Sequence, residues 1–410
     1  MASSGLRHTG PVQMKGFAAK KGRRFPVRVR RYFKLVGTEL SCHESEVGPA
    51  SWTENILDRE VEGFVDRARI VIVLRERKLE LFFENKTVCK EWLDALNRAK
   101  SLKLENYYTV GKVIGSGAYS KVRIGSSRES NELVAIKIID KKNCPERDLV
   151  FLEREVDVVK NINHQNVVKT YDVFETNDEL YIVLEYMEGG MLYDIIAEEG
   201  SFTEQNAADV FREMMQGLVY LHDKGIVHRD IKPENILCQN KSWPLNVKWT
   251  DFGLANFTSS GSNTLETQVG TPHFAAPELL RNEMYGPAVD MWSCGIVLYN
   301  MLSGELPFDH ESDPGEIFRQ ILQNEVPFPT KLWENISPEA KHLVKNLLQK
   351  NPEHRLNAHQ VLRHPWLQND QRPRRVIRND LSKLHSSRRL SDATGAFARQ
   401  RSKADEGSAT

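Results

Sequence analysis

The sequence predicts an α+β protein in three parts: a small β-barrel capped by a C-terminal helix, a larger α+β body, and a basic tail. Residues 11–103 alternate short β-rich runs with Gly-, Glu- and Asn-bearing stretches and close on one amphipathic run. Residues 108–367 mix strand-like and helix-like segments around glycine, lysine and carboxylate motifs. Charge changes sign at the joints. Residues 1–104 hold 21 Lys and Arg against 13 Asp and Glu, residues 105–367 hold 25 against 38, and residues 368–410 hold 10 against 5. The chain of 410 residues is neutral overall, so the asymmetry lets the parts attract each other or different partners, with solvated surface as the plain alternative.

With 40% hydrophobic and 27% charged residues, the composition is that of a globular protein with real cores. The longest aliphatic run, Ile70 to Leu74, is far short of the ~20 residues that a membrane span needs. Residues 1–10 lack the apolar core of a secretory signal and read as disordered, and Ala2 removes myristoylation. The five cysteines are scattered without CxxC spacing, which points to neither a disulfide framework nor zinc and fits a reducing, cytoplasmic compartment.

In the head, Val27–Leu35 alternates imperfectly, and Arg69–Leu74 and Lys78–Phe83 are β-rich. Thr87–Leu102 is helical, with Val88, Trp92, Leu96 and Ala99 on one stripe that can plug a barrel end. Ten Lys and Arg precede the first acidic residue, Glu39.

Lys15-Gly16-Phe17, a basic loop, Arg31-Tyr32-Phe33-Lys34-Leu35 and a final helix carrying Trp92 resemble a pleckstrin homology (PH) domain over residues 11–103. In that family, a Lys ending the first strand and two alternate Arg of the second grip an inositol phosphate. Lys20 and Arg31 match, but Val29 stands where the other Arg belongs, and Arg28 and Arg30 are offset by one residue onto the opposite face. The resemblance implies an anionic phospholipid or phosphoinositide partner through Lys20 and Arg31 and recruitment to a membrane surface. A barrel that binds protein, or whose charges are only solvated, is the alternative.

In the body, Val113-Ile114-Gly115-Ser116-Gly117-Ala118-Tyr119-Ser120-Lys121-Val122 is a glycine-bearing turn between strands, a form that lets backbone N–H groups approach phosphate. Val134-Ala135-Ile136-Lys137 then places a lysine at the end of an apolar strand, and Glu155 lies in a helical stretch (151–161), a suitable carboxylate partner for it. His228-Arg229-Asp230-Ile231-Lys232-Pro233-Glu234-Asn235, Asp251-Phe252-Gly253 and Ala276-Pro277-Glu278 follow in order.

This set resembles the protein kinase signature, over residues 108–367, and implies a two-lobed protein kinase fold. Gly270-Thr271-Pro272, Asp290 to Gly295, and Arg355 with His364-Pro365-Trp366 are similar to the calcium/calmodulin-dependent group, and Lys232 marks Ser/Thr specificity. The resemblance implies ATP and Mg²⁺ as cofactors and protein substrates, with no nucleic-acid partner. Asp230 would accept the proton of the substrate hydroxyl, Lys137, paired with Glu155, would contact the α/β-phosphates, and Lys232 the γ-phosphate. Asn235 and Asp251 would hold the metal. ATP would be covered by Ile114, Gly115, Ser116, Gly117, Ala118, Tyr119, Ser120, Val122 and Ala135, with adenine on the backbone of Glu185 to Met187.

Three departures are visible. Ser120 replaces the third glycine, Met191 stands where the family carries a Glu, and Asn300 replaces another Glu that reads substrate arginine. Glu234 is the acidic reader that remains. The combination with a PH-like head also departs from the other PH-bearing kinases, because no C-terminal Phe-x-x-Phe motif is present.

The tail, 368–410, is polar and basic, with a short amphipathic set at Ile377, Leu381 and Leu384 and an Arg388-Arg389-Leu390-Ser391 site. Its composition reads as disordered. It is either an autoinhibitory or calmodulin-binding segment or a solvated tail. Thr267, three residues before Gly270, stands where relatives carry an activating phosphate, which makes it the expected target of an upstream kinase with Arg229 to pair its phosphate. Thr258, Ser259, Ser260, Ser262 and Thr264 are rivals in the same loop. The rival to an active kinase is a catalytically weak PH-domain scaffold on anionic lipid, but Lys137, Glu155, Asp230, Asn235 and Asp251 are all present. A dinucleotide enzyme using Gly115 and Gly117 fails because no βαβ unit follows the turn.

Overall fold

A computed structural model describes residues 13–21, 27–57, 59–75, 77–117, 119–144, 159, 162–176, 178–251, 272–309 and 313–368. The chain divides into two units, Met1–Asn163 with Lys169–Tyr186, and His164–Val168 with Met187–Thr410.

The first unit holds two antiparallel sheets. In the head, β1 (Gln13–Lys21), β2 (Arg28–Val36), β3 (Glu39–His43), β4 (Ala50–Asn55), β5 (Val61–Phe64), β6 (Arg69–Val73) and β7 (Lys78–Phe82) run in the order β4-β3-β2-β1-β7-β6-β5. Among the described residues, β4 and β5 end the series and do not pair with each other, so hydrogen bonds do not close the expected barrel there. Alternation turns Ala18, Phe33, Leu35, Leu40, Ile70 and Leu81 into one core. Helix α1 (Lys86–Lys100) fills it with Cys89, Trp92, Leu96 and Ala99. It starts before Thr87 because the Asn85 side chain caps it, accepting the Val88 N–H at 2.9 Å. It ends before Leu102, although Leu102 is itself buried.

A short helix α2 (Leu104–Tyr107) leads into β8 (Tyr108–Ser116), β9 (Ser120–Ser127), β10 (Leu133–Asp140), β11 (Thr170–Glu175) and β12 (Glu179–Glu185), ordered β11-β12-β10-β9-β8. Tyr108, Val134, Ile136, Phe174 and Val183 form the core of this sheet. The Tyr108 hydroxyl donates to the fully buried Asp172 at 2.6 Å and so helps to offset the cost of burying that carboxylate. Strands β8 and β9 approach so closely that a Cβ at Gly125 would stand 2.3 Å from the Thr109 carbonyl oxygen.

The second unit is mainly helical. A small sheet of β13 (Gly190–Met191), β14 (Ile236–Cys238) and β15 (Val247–Trp249) accompanies the helices Glu204–Asp223 and Ala288–Ser303. Thr203 caps the first of these by accepting the Asn206 N–H at 3.1 Å. The second is apolar nearly all round and buried along its length, which makes it the core helix of the unit. Gly304, at φ 77°, ends it. All five cysteines are buried and outside any disulfide. No described helix is long and apolar enough to cross a membrane.

Candidate active site

In the first unit the glycine-bearing turn joins β8 to β9. The Gly117 N–H donates to the Ser120 carbonyl at 2.8 Å, and the Asp140 N–H to the Tyr119 carbonyl at 3.0 Å, tying the turn to the strand that carries Lys137. A Cβ at Gly115 would meet Val122 no closer than 3.6 Å, an ordinary contact, and neither Gly115 nor Gly117 has a positive φ. The fold therefore demands glycine at 125 but not at 115. Ile114 and Tyr119 are exposed apolar residues of the same turn, while Ala118 lies outside the described residues.

Lys137 sits within β10 rather than at its end, opposite Val122 and Ile182, and is 8% exposed. Ala135 lies opposite Ile124 and Leu184. Glu155, its expected partner, lies outside the described residues, as do Phe252, Gly253, Thr267, Gly270 and the tail from 369 onward. Glu185 ends β12, and its N–H donates to the Lys169 carbonyl at 2.8 Å. In the second unit Met187 is buried, and its carbonyl accepts the Gly190 N–H at 3.3 Å.

The second unit builds the 228–235 segment around a carboxylate from elsewhere in the chain. Asp290, with no exposure, accepts the His228 and Arg229 N–H groups at 2.8 Å each and His222 Nε2 at 2.8 Å. His228 is fully buried; its Nε2–H donates to the Thr250 carbonyl at 3.0 Å. These bonds hold Arg229 at φ 69°, a left-handed value that is costly for a residue with a Cβ. Asp251 also has a left-handed φ, 58°.

The Asp230 carboxylate is thereby placed between two donors. Lys232 Nζ reaches Oδ1 at 3.0 Å and Oδ2 at 2.9 Å. Asn235 Nδ2 donates to Oδ2 at 2.8 Å and to the Asp230 carbonyl at 2.7 Å, so the other end of its amide, the oxygen, is turned away. The Asn235 carbonyl accepts the Thr250 N–H at 3.1 Å, next to Asp251. Burial pushes the neighbouring Glu234 carboxyl above its ordinary range, with Lys232 opposing and Asp230 and Asp194 adding to the rise. Met191 is 37% exposed. Asn300 lies on the core helix, and its carbonyl accepts the Gly304 N–H at 2.8 Å.

In the head, Lys20 pairs with Val29 and Ala18 with Arg31, which puts Lys20 and Arg31 on the core-facing side at one end of the strands. Arg28 and Arg30 stand on the other side, over Phe82 at 3.7 Å and Phe17 at 4.3 Å. Arg77, which the sequence reading passed over, joins the inner pair. Lys20, Arg31 and Arg77 all pull the Cys42 thiol pKa down, although burial, the larger cause, leaves it raised. Lys20 and Arg77 both lie over the Trp52 ring, at 5.9 and 4.6 Å. The visible signal was a basic hairpin, Arg75, Arg77 and Lys78, after an aliphatic strand. Asp290 was visible only as a motif letter; its role as acceptor for three donors is tertiary.

Comparison with known proteins agrees with this geometry. The protein kinase domain model matches residues 108–367. A probable myosin light chain kinase of Dictyostelium discoideum is 40% identical over 273 residues, covering 66% of this chain and 69% of that protein. A second probable myosin light chain kinase of that organism is 41% identical over 264 residues, 64% of this chain and 75% of its own. Calcium/calmodulin-dependent protein kinase type 1B of Homo sapiens is 40% identical over 267 residues, 65% of this chain and 77% of its own. A family match over more than half of the chain, with relatives aligned along most of their own length, shows that this chain belongs to the protein kinase family.

Proposed function

We propose that the chain is a serine/threonine protein kinase that moves the γ-phosphate of ATP to protein hydroxyls in signalling. The observation that carries this reading is the Asp230 carboxylate clamped by Lys232 and Asn235. Oδ2 holds both donors, whereas Oδ1 holds the Lys232 contact, so Oδ1 is the oxygen that orients the substrate hydroxyl and takes its proton. Lys232, adjacent to that proton, neutralises the transferred group. Lys137 draws the α/β-phosphates, with Glu155 as its proposed partner. Gly115 and Gly117 let the turn from Ile114 to Val122 approach phosphate, a use consistent with a glycine that the fold does not require at 115. Because the Glu185 N–H is already bonded, the group it offers adenine is its carbonyl, with the Met187 backbone beside it in sequence.

The donor set suits Mg²⁺. Asn235 turns an amide oxygen away from Asp230, and Asp251 adds a carboxylate, the two hard oxygen ligands that this ion combines with phosphate and water. Bound there, it would neutralise phosphate charge, and Asn235 and Asp251 would hold it.

The relatives include one named calcium/calmodulin-dependent, which supports calmodulin as a partner; the site proposed for an upstream kinase is Thr267. The first test is transfer from Mg·ATP to matched Ser, Thr and Tyr peptides by the full chain. Phosphate is expected on Ser and Thr, and Lys137→Met is expected to lower kcat/KM at least ~100-fold. Equal labelling of Tyr, or none of any peptide, would remove the reading.

For the head we propose a PH-type domain that recruits a cytoplasmic enzyme to an anionic membrane. The convergence of Lys20, Arg31 and Arg77 favours it, while Glu44 at 3.7 Å from Arg31 and Glu54 at 3.3 Å from Arg77 partly offset the charge. Reversing Lys20 and Arg31 to Glu is expected to reduce binding to phosphatidylserine vesicles several-fold, with a smaller loss at high salt. Sedimentation with unchanged binding would show these charges to be solvated only.

A further inference from the structure

We propose that the outward face of β1 and β2 is a docking surface for an extended, carboxylate-rich segment of another protein. The proposal rests on the head alone and is independent of the kinase reading. Alternation brings Lys15, Phe17 and Lys21 from β1 to this face, and Arg28, Arg30 and Lys34 from β2, opposite the side that buries Ala18, Phe33 and Leu35. Tyr32, also on this face, is buried and donates to Glu46 at 3.1 Å, while Lys15, Phe17, Lys21, Arg28 and Arg30 are exposed around it.

The register sets Lys15 directly opposite Lys34, and Lys21 directly opposite Arg28. Like charges so placed destabilise a sheet. Two such pairs stand on one face, and an anionic strand laid across them removes the repulsion. Among the described residues, Lys15, Lys34, Arg28 and Arg30 have no carboxylate within ion-pair distance. Lys21 has Glu80 at 3.7 Å, which Arg69 also engages at 3.3 Å.

Three features select the partner. Strands β1 and β2 pair with each other from end to end, and the cations stand on the face of that pair rather than along an edge, so the partner reads side chains from above. Arg28 and Arg30 lie over the Phe82 and Phe17 rings at 3.7 and 4.3 Å, a contact that restrains the guanidinium groups and favours oxyanions as their partners. The two cation pairs are six residues apart, about 20 Å along the strands. A bilayer lying across the end where Lys20, Arg31 and Arg77 gather would stand more than a Debye length, about 8 Å, from the far pair. An extended peptide, with alternate side chains about 6.6 Å apart, matches the Arg28–Arg30 step and reaches both ends.

The test uses the full chain with labelled decaglutamate, phosphatidylserine vesicles and a single-stranded oligonucleotide as probes. Lys15→Gln with Lys34→Gln is expected to weaken decaglutamate binding about tenfold, to flatten its salt dependence, and to leave vesicle binding unchanged. Lys20→Gln with Arg31→Gln is expected to leave decaglutamate binding within twofold. The thermal midpoint of the Lys15/Lys34 variant is expected to hold or rise, since a like-charge pair is removed. No saturable decaglutamate binding at low salt, an equal loss from the Lys20/Arg31 variant, vesicle binding that falls with Lys15 and Lys34, tighter binding of the oligonucleotide, or a lowered midpoint would each overturn the proposal.

Discussion

An Asp230→Asn chain is expected to fold, to bind ATP, and to lose about 100- to 10,000-fold in kcat, the range that one positioned proton acceptor supplies. The amide keeps the shape of the carboxylate and can still accept from Asn235 through one oxygen, so the segment has no steric reason to move. What it loses is the charge that orients a hydroxyl and the basicity that receives its proton. Asp230 and Lys232 are 37% and 21% exposed at their side chains, so water can solvate the lysine when its partner becomes neutral. The prediction is therefore a split between activity and stability. Single-turnover transfer should fall while the thermal midpoint stays put. Turnover within about tenfold of the parent would remove Asp230 from the chemistry, and a collapsed midpoint would mean that its negative charge holds the loop instead.

Local pattern made much of this legible, and long-range pairing accounts for what was not. The alternation in Arg28–Val36 and the stripe of Val88, Trp92, Leu96 and Ala99 each depend on a few neighbouring residues, and strand and helix appear where those patterns run. The order β4-β3-β2-β1-β7-β6-β5 depends on pairings far apart in the chain, so the sequence reading expected a barrel without showing which edges stay open. Arg77 escaped notice because its neighbours Lys20 and Arg31 are on other strands. Asp290 could be read as part of a motif, but not as the acceptor that bends Arg229 to φ 69°. Glycine at 115 looked the same in sequence as glycine at 125; only the packing shows that the second is demanded by a carbonyl and the first is not.

The largest stability effect is expected at Glu278 and Arg355. Their side chains are 2% and 0% exposed, and they meet through two bonds, at 2.6 and 3.0 Å. Arg355 also donates to the Gln349 carbonyl at 3.0 and 2.9 Å and to the Ala288 carbonyl at 2.6 Å, and it lies over the Trp292 ring at 5.3 Å. Glu278→Ala leaves that guanidinium buried without its counter-charge, a loss of about 3–5 kcal/mol. Unlike Lys232, it has no route to water. Ala288 opens the helix that carries Asp290, so the damage reaches the segment holding Asp230 and activity should fall with the folded fraction. For a body of this size the midpoint should drop by roughly 10 °C, read in thermal scans of the full chain. Replacing both partners, as Glu278→Leu with Arg355→Met, should restore part of the loss, because two apolar groups bury without an orphaned charge. A single Glu278→Ala variant melting within about 2 °C of the parent would show that the pair contributes no more than one at the surface.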